Sequence, residues 1–250
     1  FVLHKGVAGV ATATVISRII NLVIVVLLGA VLVKAKQHPE RESNREVMGQ
    51  IIRIGLPSAC ETAIYNVSMT LVIRFLNQMD AQGLNVTARS YTMQITNFSY
   101  CVGAALAQAN AIMTGWHIGA KEYDACDRGT RKAAIIGVIV AVILETMFAL
   151  CSGWIMQLFS KDPQMVSLVG KLLAIDIVLE MGRVTNLVYG QALKTSGDAV
   201  FPVVMGACFM ILCSVGGTYL FGIRLGLLAV GAYIGMAGDE CVRAVGMYLR

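Results

Sequence analysis

Residues 173–186 read LAIDIVLEMGRVTN. Asp176, Glu180 and Arg183 follow one another at spacings of four and three, which on a helix draws one charged stripe. The arginine can neutralise only one of the two acids. The surplus carboxyl is free to bind a cation or to hold a proton. The plainer alternative is an internal salt bridge that locks this helix to a neighbour.

Other chemistry-bearing groups stand in equally apolar surroundings. In GLPSACETAIYNVS (55–68), Pro57 reads as sitting near a helix start, and Glu61, Tyr65 and Ser68 run down one face. No basic residue lies within one helical turn of Glu61; it reads as a functional acid in the membrane or, more plainly, as a carboxyl satisfied by a neighbouring helix. In TARSYTMQITNFSY (87–100), Thr87, Ser90, Gln94 and Asn97 form a hydrogen-bonding stripe, which suits a tight helix interface or a water-filled cavity. In GAYIGMAGDECVRA (231–244), Gly231 and Gly235 make a face for close helix packing. There Asp239 and Arg243 stand four apart beside Glu240, and they read as a structural ion pair. Glu145, in AVILETMFAL, falls mid-helix with no evident role. Arg74 and Arg89 read as snorkelling toward an outer surface.

These groups need elements to hold them, and the composition says which. Hydrophobic residues make up 57% of the 250 and charged residues 14%, against about 25% charged in a soluble domain. The apolar residues come in blocks long enough to cross a bilayer, which takes about 20 residues each. About seven such blocks are legible, at 7–33, 55–77, 87–117, 133–159, 165–190, 199–222 and 226–249. They are too long and too little alternating for a β-barrel. The expected class is therefore an all-α membrane protein of about seven transmembrane helices.

The net charge of +5 reflects loop lysines and arginines rather than a nucleic-acid surface. Lys34, Lys36, Arg41, Arg45 and Arg53 fall in one connection, Lys121, Arg128, Arg131 and Lys132 in another, and Lys194 in a third. The positive-inside rule places these loops in the cytoplasm, with the C-terminus on the same side. The seven cysteines lie mostly inside apolar blocks without C-x-x-C spacing, and read as small core residues. His4, His38 and His117 are scattered, so no zinc site is expected. There is no phosphate-binding P-loop motif, no intramembrane protease motif, and no lysine inside the last block of the kind a retinal protein needs. Transport driven by an ion gradient survives this elimination, and no enzyme is expected.

Four runs carry a family resemblance. IRIGLPSACETAIYNVS looks like the start of the seventh helix of the multidrug and toxic compound extrusion (MATE) transporters. GAALAQANAIMTGWHIGAKEYDAC resembles their eighth helix and the loop after it, and LEMGRVTNLVYGQALKTSGDAVFPV their tenth. LGLLAVGAYIGMAGDECVRA resembles their twelfth. The resemblance implies a twelve-helix antiporter of two six-helix lobes around a cavity, exporting cationic or amphipathic small molecules against Na⁺ or H⁺, with no other cofactor and no metal beyond a transported Na⁺. On it, residues 1–35 hold the last helix of the first lobe, 36–54 a cytoplasmic inter-lobe loop, and 55–250 the six-helix C-terminal lobe. The opening FVLHKGVAGV reads as the start of a fragment, so the partners expected are a missing N-terminal lobe, the lipid bilayer and the substrate. By motif, Glu61 would be the acid of the seventh helix, and Glu180, Arg183 and Asn186 characteristic positions of the tenth. Gly197 and Asp198 would belong to the loop after it. Several branches carry the seventh-helix acid one turn deeper, where this chain has Tyr65. With Gln94, Asn97 and Asp176 added from the stripes above, the expected coupling and substrate groups are Glu61, Tyr65, Gln94, Asn97, Asp176, Glu180, Arg183 and Asn186, in a plasma (inner) membrane protein. The rivals are a lipid-linked oligosaccharide flippase of a related fold, which would favour a cationic cavity, and a non-transporting membrane interaction module.

Overall fold

The structure is a computed structural model, and it describes residues 6–32, 44–80 and 82–250. Among these there is no strand. The helices are α1 (Gly6–Leu32), α2 (Asn44–Met79), α3 (Leu84–Gly119), α4 (Tyr123–Leu150), α5 (Ser152–Met156), α6 (Pro163–Thr195), α7 (Val200–Phe209) and α8 (Leu228–Leu249). Past Phe209, α7 continues as π-helical turns at Met210–Val215 and Thr218–Arg224. The chain divides into two compact units, residues 1–48 and 49–250. The first contains α1, an apolar helix with a 20-residue stretch, Ala11–Ala30, fit to cross a membrane.

Within the second unit, Tyr123–Leu150 and Val200–Arg224 are also long and apolar enough to span. The polar faces of α2, α3, α6 and α8 dilute their hydropathy, but not their reach. Even α8, with 22 residues, is about 33 Å long at 1.5 Å per residue, and the hydrocarbon core is about 30 Å thick.

The boundaries differ from the sequence reading where polar residues are helical. Residues 44–54, read as loop, form the first turns of α2; residues 36–43 lie outside the described residues. Pro57 is consequently inside α2 rather than at its start, and it withholds the N–H that the carbonyl of residue 53 would take. The polar residues after it serve their own helix. Thr62 Oγ1 donates to the Ser58 carbonyl at 3.0 Å, Asn66 Nδ2 to the Thr62 carbonyl at 2.9 Å and Thr70 Oγ1 to the Asn66 carbonyl at 2.7 Å. Such back-bonding lets polar side chains sit in an apolar setting without leaving donors bare. The block 133–159 is broken at Cys151, where α4 ends and α5 begins.

Helix α6 is the axis of the second unit, with α3, α4 and α8 packed around it. Its ends are fixed by local chemistry. Asp162 caps it, accepting from the Gln164 N–H at 3.0 Å, with Pro163 at the first helical position. At the other end Gly197 takes φ 96°, which a Cβ would oppose. The Gly197 and Asp198 N–H groups close on the carbonyls of Lys194 and Leu193 at 3.1 and 3.0 Å. The core gathers Leu172, Leu173 and Leu179 of α6 with Val72 and Leu76 of α2, Ile95 of α3 and Met236 of α8. A smaller cluster sets Val184 and Val188 against Ala134 and Ala141 of α4.

Glycines set how closely α6 and α8 approach their neighbours. A Cβ on Gly182 would stand 2.7 Å from the backbone carbon of Glu240. A Cβ on Gly235 would stand 2.9 Å from the carbonyl carbon of Gly217. Backbones this near leave no room for any larger residue. The Gly231/Gly235 face read from the sequence therefore packs on the π-helical continuation of α7.

Candidate functional site

The close approach at Gly182 brings the charges of α6 against those of α8. Arg183 Nη1 donates to Glu180 Oε2 at 2.8 Å, and Arg183 Nε lies 3.8 Å from Glu240 Oε1. Asn186 Nδ2 donates to both the Glu240 carbonyl and Glu240 Oε2, at 2.9 and 2.7 Å. Arg243 Nη2 reaches the same Glu240 Oε2 at 2.9 Å. Arg243 also grips Asp239, Nε to Oδ1 at 2.9 Å and Nη2 to Oδ2 at 3.1 Å, while Ser214 Oγ donates to Asp239 Oδ2 at 2.9 Å. The sequence reads Asp239–Arg243 as a separate pair; the geometry joins it to the α6 stripe through Glu240. The sequence shows Glu240 beside Arg243 on its own helix but not its link to α6, because Asn186 lies 54 residues away.

These groups border a cavity of about 610 Å³ among α2, α3, α6, α8 and the α7 continuation. Glu61, Tyr65, Asn97, Asp176, Arg183 and Asn186 all line it. Gln94 does not; it lies exposed on another face of α3. Glu180 stands just behind the wall, fully buried. Asp176 is 2% exposed and its Oδ2 has no hydrogen-bond partner, nor has Glu180 Oε1 or Asn186 Oδ1.

Two basic residues belong to the site that the sequence reading placed elsewhere. Lys194, read as a loop residue, is on the last turn of α6, and its Nζ lies 2.5 Å from Glu61 Oε2. This is the neighbouring-helix partner of the plainer reading of Glu61. Arg89, read as snorkelling outward, is 7% exposed and lines the cavity. Its Nη2 meets Met69 Sδ at 3.4 Å and its Nε has no partner. Its place near the end of a block suggested the surface; α3 in fact begins at Leu84, which puts Arg89 more than a turn inside. Arg74 is exposed. The cavity wall thus carries four basic side chains, Arg89, Arg183, Lys194 and Arg243, and three acids, Glu61, Asp176 and Glu240. Among the described residues no group of three or more His, Cys, Asp or Glu is arranged to hold a metal ion.

Long helices with apolar outer faces, enclosing a cavity walled with charge, define a helical membrane protein of the transporter class. The sequence model of the MatE family matches residues 57–220, and the chain belongs to that family. Its members are transporters rather than enzymes. The uncharacterized transporter YisQ of Bacillus subtilis is 34% identical over 98% of this chain and 54% of its own length. The probable multidrug resistance protein NorM of Pasteurella multocida is 23% identical over 83% of this chain and 45% of its own. A crystal structure of MATE in the straight conformation has the same fold, with a TM-score of 0.82 at 19% identity, covering 100% of this chain and 56% of that one. The chain spans about half the length of the curated relatives it matches.

Proposed function

We propose that the chain forms one lobe of an ion-coupled exporter of cationic or amphipathic organic molecules, with Na⁺ or H⁺ as the coupling ion. The observation that carries this reading is Asp176: a nearly buried carboxyl on the cavity wall with an oxygen that nothing in the protein satisfies. A bare carboxylate in such surroundings is costly. A cationic cargo, a proton or a small cation each removes that cost, and only one can do so at a time. Competition for one group is the simplest way to couple an ion gradient to a cargo. The cavity volume, about 610 Å³, suits drug-sized molecules. One charge crossing 100 mV supplies about 2.3 kcal/mol, enough to sustain about a 40-fold gradient of a neutral cargo. The proposed setting is the plasma membrane, multi-pass, with the C-terminus in the cytoplasm.

Arg89 favours a second reading. A buried guanidinium on the cavity wall, with its Nε unpartnered, would suit a cargo with an anionic group, as a flippase for a pyrophosphate-linked lipid requires. Reconstitution in liposomes separates the two. Under an imposed Na⁺ or proton gradient, a lipophilic cationic dye should move uphill and an anionic one should not. Gradient-driven movement of the anionic probe alone would replace the first reading with the second.

A further inference from the structure

Glu145 is fully buried on α4, and neither of its carboxyl oxygens has a hydrogen-bond partner. It does not line the cavity. Its position relative to α6 follows from the helix packing. A Cβ on Gly137 would meet Val184, and a Cβ on Gly170 would meet Ser152 just beyond α4. Positions ascending on α4 therefore match positions descending on α6. This antiparallel register sets Glu145 level with Asp176. Helix α3 runs parallel to α6, since Gly103 meets Val184 and Gly115 meets Thr195. Ser99 is therefore level with Glu180, and its Oγ is likewise buried and without a partner.

Along α6 each four-residue step turns the face by about 40°. The steps from Val184 to Glu180 to Asp176 carry the stripe from the α4 side round to the cavity wall. Three carboxyls thus stand within about one turn of each other, from the dry interior to the cavity. The charged groups that act on Glu145 are Asp176, Glu180 and Arg183, all from α6. Helix α3 brings the Ser99 hydroxyl near Glu145 without hydrogen-bond geometry between them, and the sequence of α5 contains no ionisable residue. Arg183 is already bonded to Glu180.

We propose that Glu145 is a proton-binding site and that Glu180 and Asp176 connect it to the cavity. A neutral acid is the form of Glu145 that fits a dry site with two acidic neighbours and no cation bonded to it. The ligand is a proton because the cavity does not reach Glu145 and the donor set for a metal ion is absent among the described residues. In the transfer, the O–H bond at Glu145 breaks as one forms on the Asp176 carboxylate, directly or by way of Glu180, which in that case takes the proton and passes it on. The O–H bond at Asp176 then breaks as the proton passes to cavity water, with no change of oxidation state. As a store of coupling protons this rests on the exporter reading; as a proton site it does not.

Infrared spectroscopy of the whole chain in lipid vesicles tests it without any transport. A protonated carboxyl has a C=O stretch distinct from that of a carboxylate, and it shifts when the proton is exchanged for deuterium. The wild type should show such a band at pH 7, slow to shift in D₂O, and Glu145→Gln should lose it. Asp176→Asn should keep the band and slow its exchange. Absence of the slow band from the wild type, or its survival in Glu145→Gln, would overturn the proton site. Unchanged exchange in Asp176→Asn would overturn the route through Asp176. A failed transport assay beside an intact band would count against the exporter reading alone.

Discussion

Lys194 on the last turn of α6 holds Glu61 on α2, with 2.5 Å between Nζ and Oε2. The pair joins residues 133 positions apart across one side of the cavity. Both side chains remain partly exposed, so the bond itself contributes on the order of 0–1 kcal/mol. Its consequence is electrostatic: the amine occupies the acid that a cationic cargo would otherwise find. Lys194→Met should leave thermal stability within about 1 kcal/mol of the wild type and tighten binding of a cationic dye. Weaker dye binding by a stable Lys194→Met protein would show that Glu61 is not a cargo group.

Glu180 separates a structural role from a coupling role. Breaking a buried ion pair by removing one partner costs about 3–5 kcal/mol, which would depress the yield of Glu180→Gln. Here Arg183 keeps a second acid, Glu240, at 3.8 Å. The expected outcome is normal accumulation with loss of ion-driven export. A fall in yield, restored when Arg183 is also made neutral, would assign Glu180 to structure.

Much of this site was legible in the sequence because its signal is local. Asp176, Glu180 and Arg183 declare themselves by spacing along one helix, and Asp239 and Arg243 do the same. What the sequence could not supply is the relation between helices. Lys194 reads as loop because TSGD follows it, yet it is the last helical turn that aims its amine at Glu61. Glu145 is visibly misplaced in an apolar run, but its neighbours come from α6 and α3. The π-helical turns after Phe209 interrupt a block whose composition reads as uniform helix, since hydropathy does not record hydrogen-bond register.

Gly182 is the position where α6 and α8 come closest at the charged layer. A Cβ there would lie 2.7 Å from the Glu240 backbone, so Gly182→Val must spread the two helices. Overpacking of this kind costs about 1–3 kcal/mol. Gly190→Ala, on the same helix and with open space at its Cβ, should be neutral or stabilising by up to about 1 kcal/mol. Thermal unfolding in detergent compares them directly. Equal melting temperatures for the two variants would contradict the tight crossing.

Asp80 ties the α2–α3 turn. It accepts from the N–H groups of Leu84 and Asn85 at 3.0 and 2.9 Å, and from the Asn85 side chain. Asn85 in turn accepts from the Ala229 N–H at 3.2 Å, at the start of α8. Partial burial pushes the Asp80 carboxyl up, but the hydrogen bonds from Asn85, Leu84 and Gly83 outweigh it and hold the group below its usual range. The folded value lies below the unfolded one, about 3.9. Its contribution is therefore complete above that value and is lost as pH falls through the depressed one. Asp80→Ala should cost about 1 kcal/mol at neutral pH, with the difference from wild type vanishing in acid. A difference that persists undiminished in acid would rule out the carboxylate as its source.

Competition between cargo and coupling ion for Asp176 is the centre of the proposed mechanism. Equilibrium binding of a fluorescent lipophilic cation to the purified protein in lipid, across pH and Na⁺ concentration, measures it directly. Affinity should fall as protons or Na⁺ are added, by at most about tenfold per pH unit for one linked proton. Asp176→Asn should bind the dye weakly and without dependence on either ion. Tight binding by Asp176→Asn, or wild-type binding indifferent to both pH and Na⁺, would contradict the competition.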